Sequence, residues 1–268
     1  MNAPPAPDVP LLADKRYDEP SVFEPSALLR QARRQRGLAD GLAPAVCVLD
    51  PDGDIVRELR RTGRSRPVTS WACYHTDLDV FDLDGRAAGI VGLAVGAPFA
   101  VLVAEELFAS GCGLVISVTS AGRIAADASG GFMVIERAIR DEGTSYHYLA
   151  PGVDSRLDPA LQDALRGAFD GLGVPVFSGR SWTTDAPFRE TQSAIDRHTA
   201  AGVACVEMEA AALYAFARAR GVAVVCVAHL TNDMGRTEVD FEKGAAEGAD
   251  DALAVVARIA AGLRPPGT

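Results

Sequence analysis

Residues 203–221 read Val203-Ala204-Cys205-Val206-Glu207-Met208-Glu209-Ala210-Ala211-Ala212-Leu213-Tyr214-Ala215-Phe216-Ala217-Arg218-Ala219-Arg220-Gly221. A short apolar run passes directly into strong helix formers, and these close on two arginines and a glycine, residue types that favour a helix C-terminus. The spacing predicts a strand over 203–206 and a helix over 209–220. A strand-to-helix junction in an α/β pattern is where such folds place ligand groups. Two carboxylates around a thioether suit a ribose. A carboxylate accepts from two neighbouring hydroxyls at once, and the thioether offers an apolar, polarizable surface to a sugar face. By residue type alone, Glu207 and Glu209 equally suit the positive end of the following helix.

Outward from this junction, further apolar runs bounded by turn residues predict strands at 45–49, 87–95, 114–119, 131–139, 174–178 and 222–229. Helical stretches alternate with them at 98–110, 159–170, 190–200 and 241–261. Continuous Val, Ile and Ala runs belong to strands covered on both faces, so the expected architecture is α/β, with a mixed, mainly parallel central sheet flanked by helices. Residues 1 to 22 carry many prolines and no periodic pattern, and they read as an extended arm. The expected division is an N-terminal extension with a short helix over 1–42 and one catalytic domain over 43–268. At 268 residues and 48% hydrophobic content the chain is able to bury one large core.

Composition excludes several classes of function. No apolar run approaches the ~20 residues that span a bilayer, and the proline-rich start lacks both a basic region and a hydrophobic core for secretion, so a cytoplasmic protein is expected. The five cysteines, Cys47, Cys73, Cys112, Cys205 and Cys226, are odd in number and spread through apolar runs, which predicts buried thiols. The histidines lack metal-ligand spacing, and neither a metal nor a cofactor is expected. A net charge of −10 argues against a nucleic-acid partner, and the Arg30 to Arg36 cluster reads as a solvated helix face.

The segment Val206-Glu207-Met208-Glu209-Ala210-Ala211 resembles the V-E-M-E-A-A signature of the nucleoside phosphorylase family, which includes purine nucleoside phosphorylases, uridine phosphorylases and related nucleosidases. The resemblance covers about residues 43–262 and implies that family's fold. It further implies cleavage of a nucleoside N-glycosidic bond and assembly as a homotrimer or homohexamer. It places Met208 and Glu209 on the ribose, with Glu207 beside them. Glu136 to Tyr148 is similar to the uridine phosphorylase segment R-x-D-G-x-S-x-H-[FY]. The overall layout therefore favours that branch, although these residues are read as pocket wall for a neighbouring subunit and carry no catalytic role.

Phosphate or water as acceptor is left open by the sequence. Gly89 to Pro98 ends a strand before the Glu105-Glu106-Leu107 helix and resembles the family's glycine-rich segment. Its Gly96 lets the backbone approach a ligand at a helix N-terminus. Its glycine spacing is not the dinucleotide fingerprint. Ser117-Val118-Thr119-Ser120-Ala121-Gly122 resembles R-x-G-[TS]-A-G, which puts Ser120 and Gly122 on the acceptor. Ser117, however, stands where the phosphorylases carry a phosphate-binding Arg. Asp50-Pro51-Asp52-Gly53-Asp54 lies where they carry G-D-P-x-R, and by residue type it is turn chemistry in its own right. Counted from the strand, Asp54 falls near the second phosphate Arg and also near the acid that positions water in nucleosidases. The alternative register, Gly53 to Arg57 on G-D-x-x-R, restores a phosphate Arg at Arg57.

On the base side, Ser181 to Gln192 looks like the family's loop with a stacking aromatic. Phe188 or Trp182 is left to stack, and Phe188 is favoured for the base, with Arg189 and Gln192 reading its carbonyl groups. Asn232 and Asp233 end the strand where purine enzymes carry Ser-Asp. Asn232 matches that Asp only if the strand has gained one residue. An Asn donates to and accepts from an oxo-base edge, and a general acid would then be Asp233. The competing reading is an inactive nucleoside- or base-binding relative, because both phosphate arginines are missing in the preferred registers.

Overall fold

The structure, a computed structural model, describes residues 9–125, 131–233 and 245–263. Among the described residues ten strands run in chain order: β1 (Val46–Asp50), β2 (Ser65–Pro67), β3 (Asp79–Leu83), β4 (Arg86–Gly92), β5 (Leu114–Arg123), β6 (Gly131–Asp141), β7 (Asp154–Arg156), β8 (Val176–Thr184), β9 (Cys205–Glu207) and β10 (Ala223–Asp233). The helices are α1 (Pro25–Arg36), α2 (Asp54–Arg61), α3 (Ala97–Ala109), α4 (Pro159–Ala164), α5 (Gln192–Ala200), α6 (Ala210–Arg220) and α7 (Ala249–Gly262). None of the described helices is long and apolar enough to cross a membrane.

The strands form one mixed sheet that closes on itself. β5 pairs in parallel with β10, β10 antiparallel with β6, β6 in parallel with β8, β8 in parallel with β9, and β9 antiparallel with β5. This ring leaves no exposed edge among its five strands. From β5 the sheet continues in parallel through β1 to β4, then antiparallel through β3 to β2. The strands of the middle are covered on both faces, so β1, β5 and β10 are runs of mostly buried Val, Ile, Leu, Ala and Cys, with buried Ser117 and Thr119 among them in β5. All five cysteines are free and buried, as their apolar settings predict.

The elements that apolar periodicity did not announce are short or polar. α2 follows the turn residues Asp50 to Gly53 and carries three arginines, Arg57, Arg60 and Arg61, so its buried stripe of Ile55, Val56 and Leu59 is narrow. β3 alternates buried and part-exposed residues over five positions, and β7 is three residues long. α1 is partly embedded, with Leu29 and Ala32 packed against Ala72. α4 is shorter than the predicted helix, ending at Ala164. The predicted helix over 241–261 is described from Ala249 onward, and its first residues, 241–244, lie outside the described residues.

Candidate active site

The two glutamates of the β9–α6 junction lie in different surroundings. Glu207 ends β9 with its side chain fully inside the protein. Its Oε1 accepts from the hydroxyls of Ser181 at 2.9 Å and Thr183 at 2.5 Å. Its Oε2 accepts from the backbone N–H groups of Glu209 and Ala210, both at 2.7 Å. Thr183 Oγ1 then accepts from the Ala211 N–H at 2.9 Å. The otherwise unpaired amides of the first turn of α6 are thus met by a carboxylate and a hydroxyl. Burial raises the Glu207 pKa and these donors work against it. Four donors occupy the four lone-pair sites of the carboxylate, so Glu207 holds the helix start and presents nothing to a ribose.

Glu209, two residues on, faces the other way. The Gly96 N–H donates to its Oε1 at 2.7 Å. Its Oε2 is buried and has no hydrogen-bond partner among the described residues. Burial pushes its pKa up to about 8, the Glu207 charge adds to that, and the Gly96 amide and the Thr119 side chain oppose it. Gly96 has φ +88, a left-handed conformation that disfavours any side chain, and an added Cβ would meet nothing within 4 Å. The glycine is needed for its backbone angle, which aims the amide at Glu209. Met208 sits half-buried between the two carboxylates.

The β1–α2 junction repeats the arrangement. Asp50 is buried at the end of β1, accepting from Gly53 N–H at 3.1 Å and Val56 N–H at 2.8 Å. Burial pushes its pKa up to about 7, against the pull of the Val56 amide. Two residues on, half-buried Asp52 accepts the Ser120 N–H on Oδ2 at 2.7 Å. Asp54, the predicted water-positioning acid, is the first residue of α2 and is paired with the Arg57 guanidinium. Arg57 also donates to the Asp52 carbonyl at 3.0 Å. Arg57, the phosphate ligand of the alternative register, is therefore engaged within its own turn.

The amides of Gly96 and Ser120, both predicted to meet the acceptor, are each held by a carboxylate of the chain. Asp52 is the residue that sequence reading passed over. The signal was present in the alternation Asp50-Pro51-Asp52, which matches Glu207-Met208-Glu209, but an Asp-Pro-Asp-Gly sequence is also a turn. Gly122 lies where β5 meets two neighbours, opposite Val206 of β9 and Asn232 of β10. Ser117 is buried in β5 with its Oγ unpartnered among the described residues, and strand alternation puts it on the same face as Thr119.

The base-side candidates are less drawn together. Phe188 stands fully exposed on a 3-10 turn, with Arg189 exposed beside it. Gln192 opens α5 and donates to Asp196 at 2.8 Å. Trp182, the other aromatic of that loop, is buried, stacked on His198 at 4.3 Å between centroids and bonded to Asp141 at 2.9 Å. It is part of the core. A register shift between Leu230 and Asn232 makes Thr231 an extra residue in β10 and sets Asn232 opposite Gly122 and Asp233 opposite Arg123. The side chains of Asn232 and Asp233 lie outside the described residues. In the segment of 136–148, Arg140 is buried on Ser145, Leu149 and Ala150. A cavity of about 800 Å³ opens at the C-terminal half of α6, lined by Arg137, Arg156, Tyr214 and Arg218 among others, and none of the predicted site residues lines it.

The family model described as the phosphorylase superfamily matches residues 57–261. A guanosine phosphorylase of Halorubrum lacusprofundi is 29% identical over 140 residues, which cover 52% of this chain and 58% of that protein, under two thirds of its length. A uridine phosphorylase of Thermococcus kodakarensis is 29% identical over 192 residues, covering 65% of this chain and 68% of that one. Among solved structures, purine nucleoside phosphorylase from Toxoplasma gondii in complex with immucillin-H superposes with a TM-score of 0.68 at 18% identity, covering 82% of this chain and 90% of that chain. Uridine phosphorylase from Vibrio fischeri superposes with a TM-score of 0.66 at 22% identity, over 81% and 91%. Both solved structures share the fold.

Proposed function

The chain belongs to the phosphorylase superfamily, and on that premise we propose that it cleaves the N-glycosidic bond of a purine or pyrimidine nucleoside. The observation that carries this reading is Glu209 Oε2, a buried acceptor with no partner among the described residues at the position of the family's ribose-binding glutamate. A buried oxygen left unpaired costs about 1–3 kcal/mol, and two vicinal hydroxyls of a ribose would remove that cost while returning Glu209 to its charged form. A carboxylate there also strengthens its bonds as the sugar becomes oxocarbenium-like, which is where binding energy turns into rate. Met208 lies against the sugar face and Phe188 stacks on the base. The extra residue in β10 supports Asn232 at the family's base-reading position, with Asp233 adjacent for protonation. The unit that acts is residues 43–268, in the cytoplasm, and exposed Leu93, Val95 and Leu102 near the Gly96 loop are surface that a homotrimer or homohexamer would cover.

Phosphate is the acceptor that the superfamily supports. Water is favoured by one specific observation, the Asp52 carboxylate on the Ser120 amide, together with Ser117 in place of an Arg. Incubating the protein with a panel of nucleosides, with and without phosphate, and separating free base, ribose and ribose 1-phosphate tests the reading. Release of base from at least one nucleoside is expected. Binding of nucleosides without any release would favour an inactive binding relative.

A further inference from the structure

The cavity of about 800 Å³ at the C-terminal half of α6 forms where the sheet changes partners. β10 lies beside β6 from Val227 to Leu230, opposite Gly131 to Val134, whereas from Arg137 to Ile139 β6 pairs with β7 instead. The first residues of β10 therefore part from β6, and the cavity lies between them and β7. Since α6 spans 11 residues, at a rise of ~1.5 Å per residue the cavity stands about 16 Å from the Glu209 end of the helix. It is a separate place.

Its walls combine charge with apolar surface. Arg137 and Arg156 line it and converge on Asp154 at 3.0 and 3.1 Å, and Arg180 reaches the same carboxylate at 3.5 Å. Three guanidiniums on one carboxylate leave positive charge over. Arg218, on the last turn of α6, lines the cavity without an ion-pair partner among the described residues. Glu136 and Asp158 line it too, but Asp158 is committed to the start of α4, where it accepts the Ala160 N–H at 2.8 Å. The second observation is Ser155. Its side chain is 3% exposed on the cavity wall, and its Oγ has no hydrogen-bond partner among the described residues. A buried hydroxyl left unpaired is costly, and a ligand oxygen in the cavity would meet it. Arginines bind carboxylate and phosphate through parallel N–H bonds, and a cavity of this volume takes a molecule of up to nucleotide size. We propose that the cavity binds a small molecule with an anionic head, a phosphate or a carboxylate, on an apolar body. The head sits on Arg156, Arg218 and the Ser155 hydroxyl, and the body lies against Leu157, Leu161 and Val222. The site stands whether or not the chain cleaves nucleosides.

Calorimetric titration of four probes into the full chain decides it: inorganic phosphate, uridine monophosphate, adenosine monophosphate and benzoate. Each is titrated into the wild type, Arg218→Ala, Ser155→Ala and Glu209→Ala. Saturable binding of at least one probe with a Kd of about 1 mM or below is expected in the wild type. Arg218→Ala should weaken it about tenfold to 100-fold, the loss expected for a charge-assisted contact, and Ser155→Ala should weaken it by a smaller factor. Glu209→Ala should leave it unchanged, because that residue lies at the other end of α6. Benzoate and the two nucleotides separate a carboxylate from a phosphate head, and phosphate alone shows what the head contributes without a body. Arg218 is exposed, so its replacement should leave the apparent Tm near wild type. Absence of saturable binding with all four probes overturns the inference. Binding that Glu209→Ala abolishes and Arg218→Ala leaves intact overturns it as well, since the probe then occupies the ribose end.

Discussion

The β9–α6 and β1–α2 junctions are built on one plan with different residues. In each, a strand ends in a carboxylate that turns inward to cap the next helix, Glu207 on Glu209 and Ala210, Asp50 on Gly53 and Val56. In each, the carboxylate two residues later accepts an amide from another segment, Glu209 from Gly96 and Asp52 from Ser120. The difference lies in burial. Glu209 is 2% exposed with a spare oxygen, whereas Asp52 is half-buried at the same kind of position. In each pair the first carboxylate caps the helix and the second reaches another segment; positions i and i+2 of an extended chain share a face, so it is the backbone turn at the intervening residue that separates them.

Breaking the Glu209 side of this comparison should have the largest effect. On the proposed ribose role, Glu209→Ala removes two hydroxyl contacts that would strengthen in the transition state, each worth about 1.5–3 kcal/mol, so kcat/KM should fall about 10²- to 10⁴-fold. Circular dichroism and apparent Tm should stay near wild type. Wild-type turnover in that variant would sink the ribose assignment.

Glu207→Ala should act on stability instead. It strands the Ser181 hydroxyl and the amides of Glu209 and Ala210 in the interior, at a cost of about 3–5 kcal/mol, or roughly a 10 °C drop in Tm. Thermal unfolding within a degree or two of wild type would show that the two junction glutamates are not divided as described.

A smaller effect is expected on the base side. Phe188→Ala should raise KM about 5- to 150-fold with the fold untouched, the range expected for losing a base–aromatic stack. No change in KM for any nucleoside would leave fully exposed Phe188 without a role in the site and sharpen the contrast with the well-built ribose end.

The pH dependence of stability compares the two junctions directly. Asp50 and Glu209 hold their protons to about pH 7 and about pH 8 in the folded chain, above the ordinary carboxylate range of the unfolded one. The folded state binds more protons in between, so stability is full below the ordinary carboxylate range and is lost as pH rises through about 7 and then about 8. Chemical denaturation between pH 5 and 8.5 checks this, and Asp50→Asn should flatten the lower part of the decline. A stability that rises with pH across that window would contradict both assignments.

How much of this was legible beforehand differs by element. Long apolar runs announced β1, β5, β6 and β10, and the alanine-rich stretch announced α6, because burial keeps several consecutive residues of each apolar. Short β2, β3 and β7 and arginine-rich α2 were not legible, since a few half-exposed residues carry no period. Met208 and Glu209 stood out through the motif. Asp52 did not, because Asp-Pro-Asp-Gly reads as a turn whatever its side chains reach.

By itself the sequence determined the α/β class, the superfamily and the junction on which the proposed ribose contact rests. It determined these because strand runs, helix ends and a six-residue signature are local and survive in one dimension. Only the tertiary structure decided that the sheet closes into a ring, that Glu207 caps a helix while Glu209 keeps a spare oxygen, and that Asp52, not Asp54, reaches the Ser120 amide. Those facts depend on which strand lies beside which and on the side to which each backbone turn sends its carboxylate. Residues 52, 96, 120 and 209 meet only once β1, β4, β5 and β9 end together.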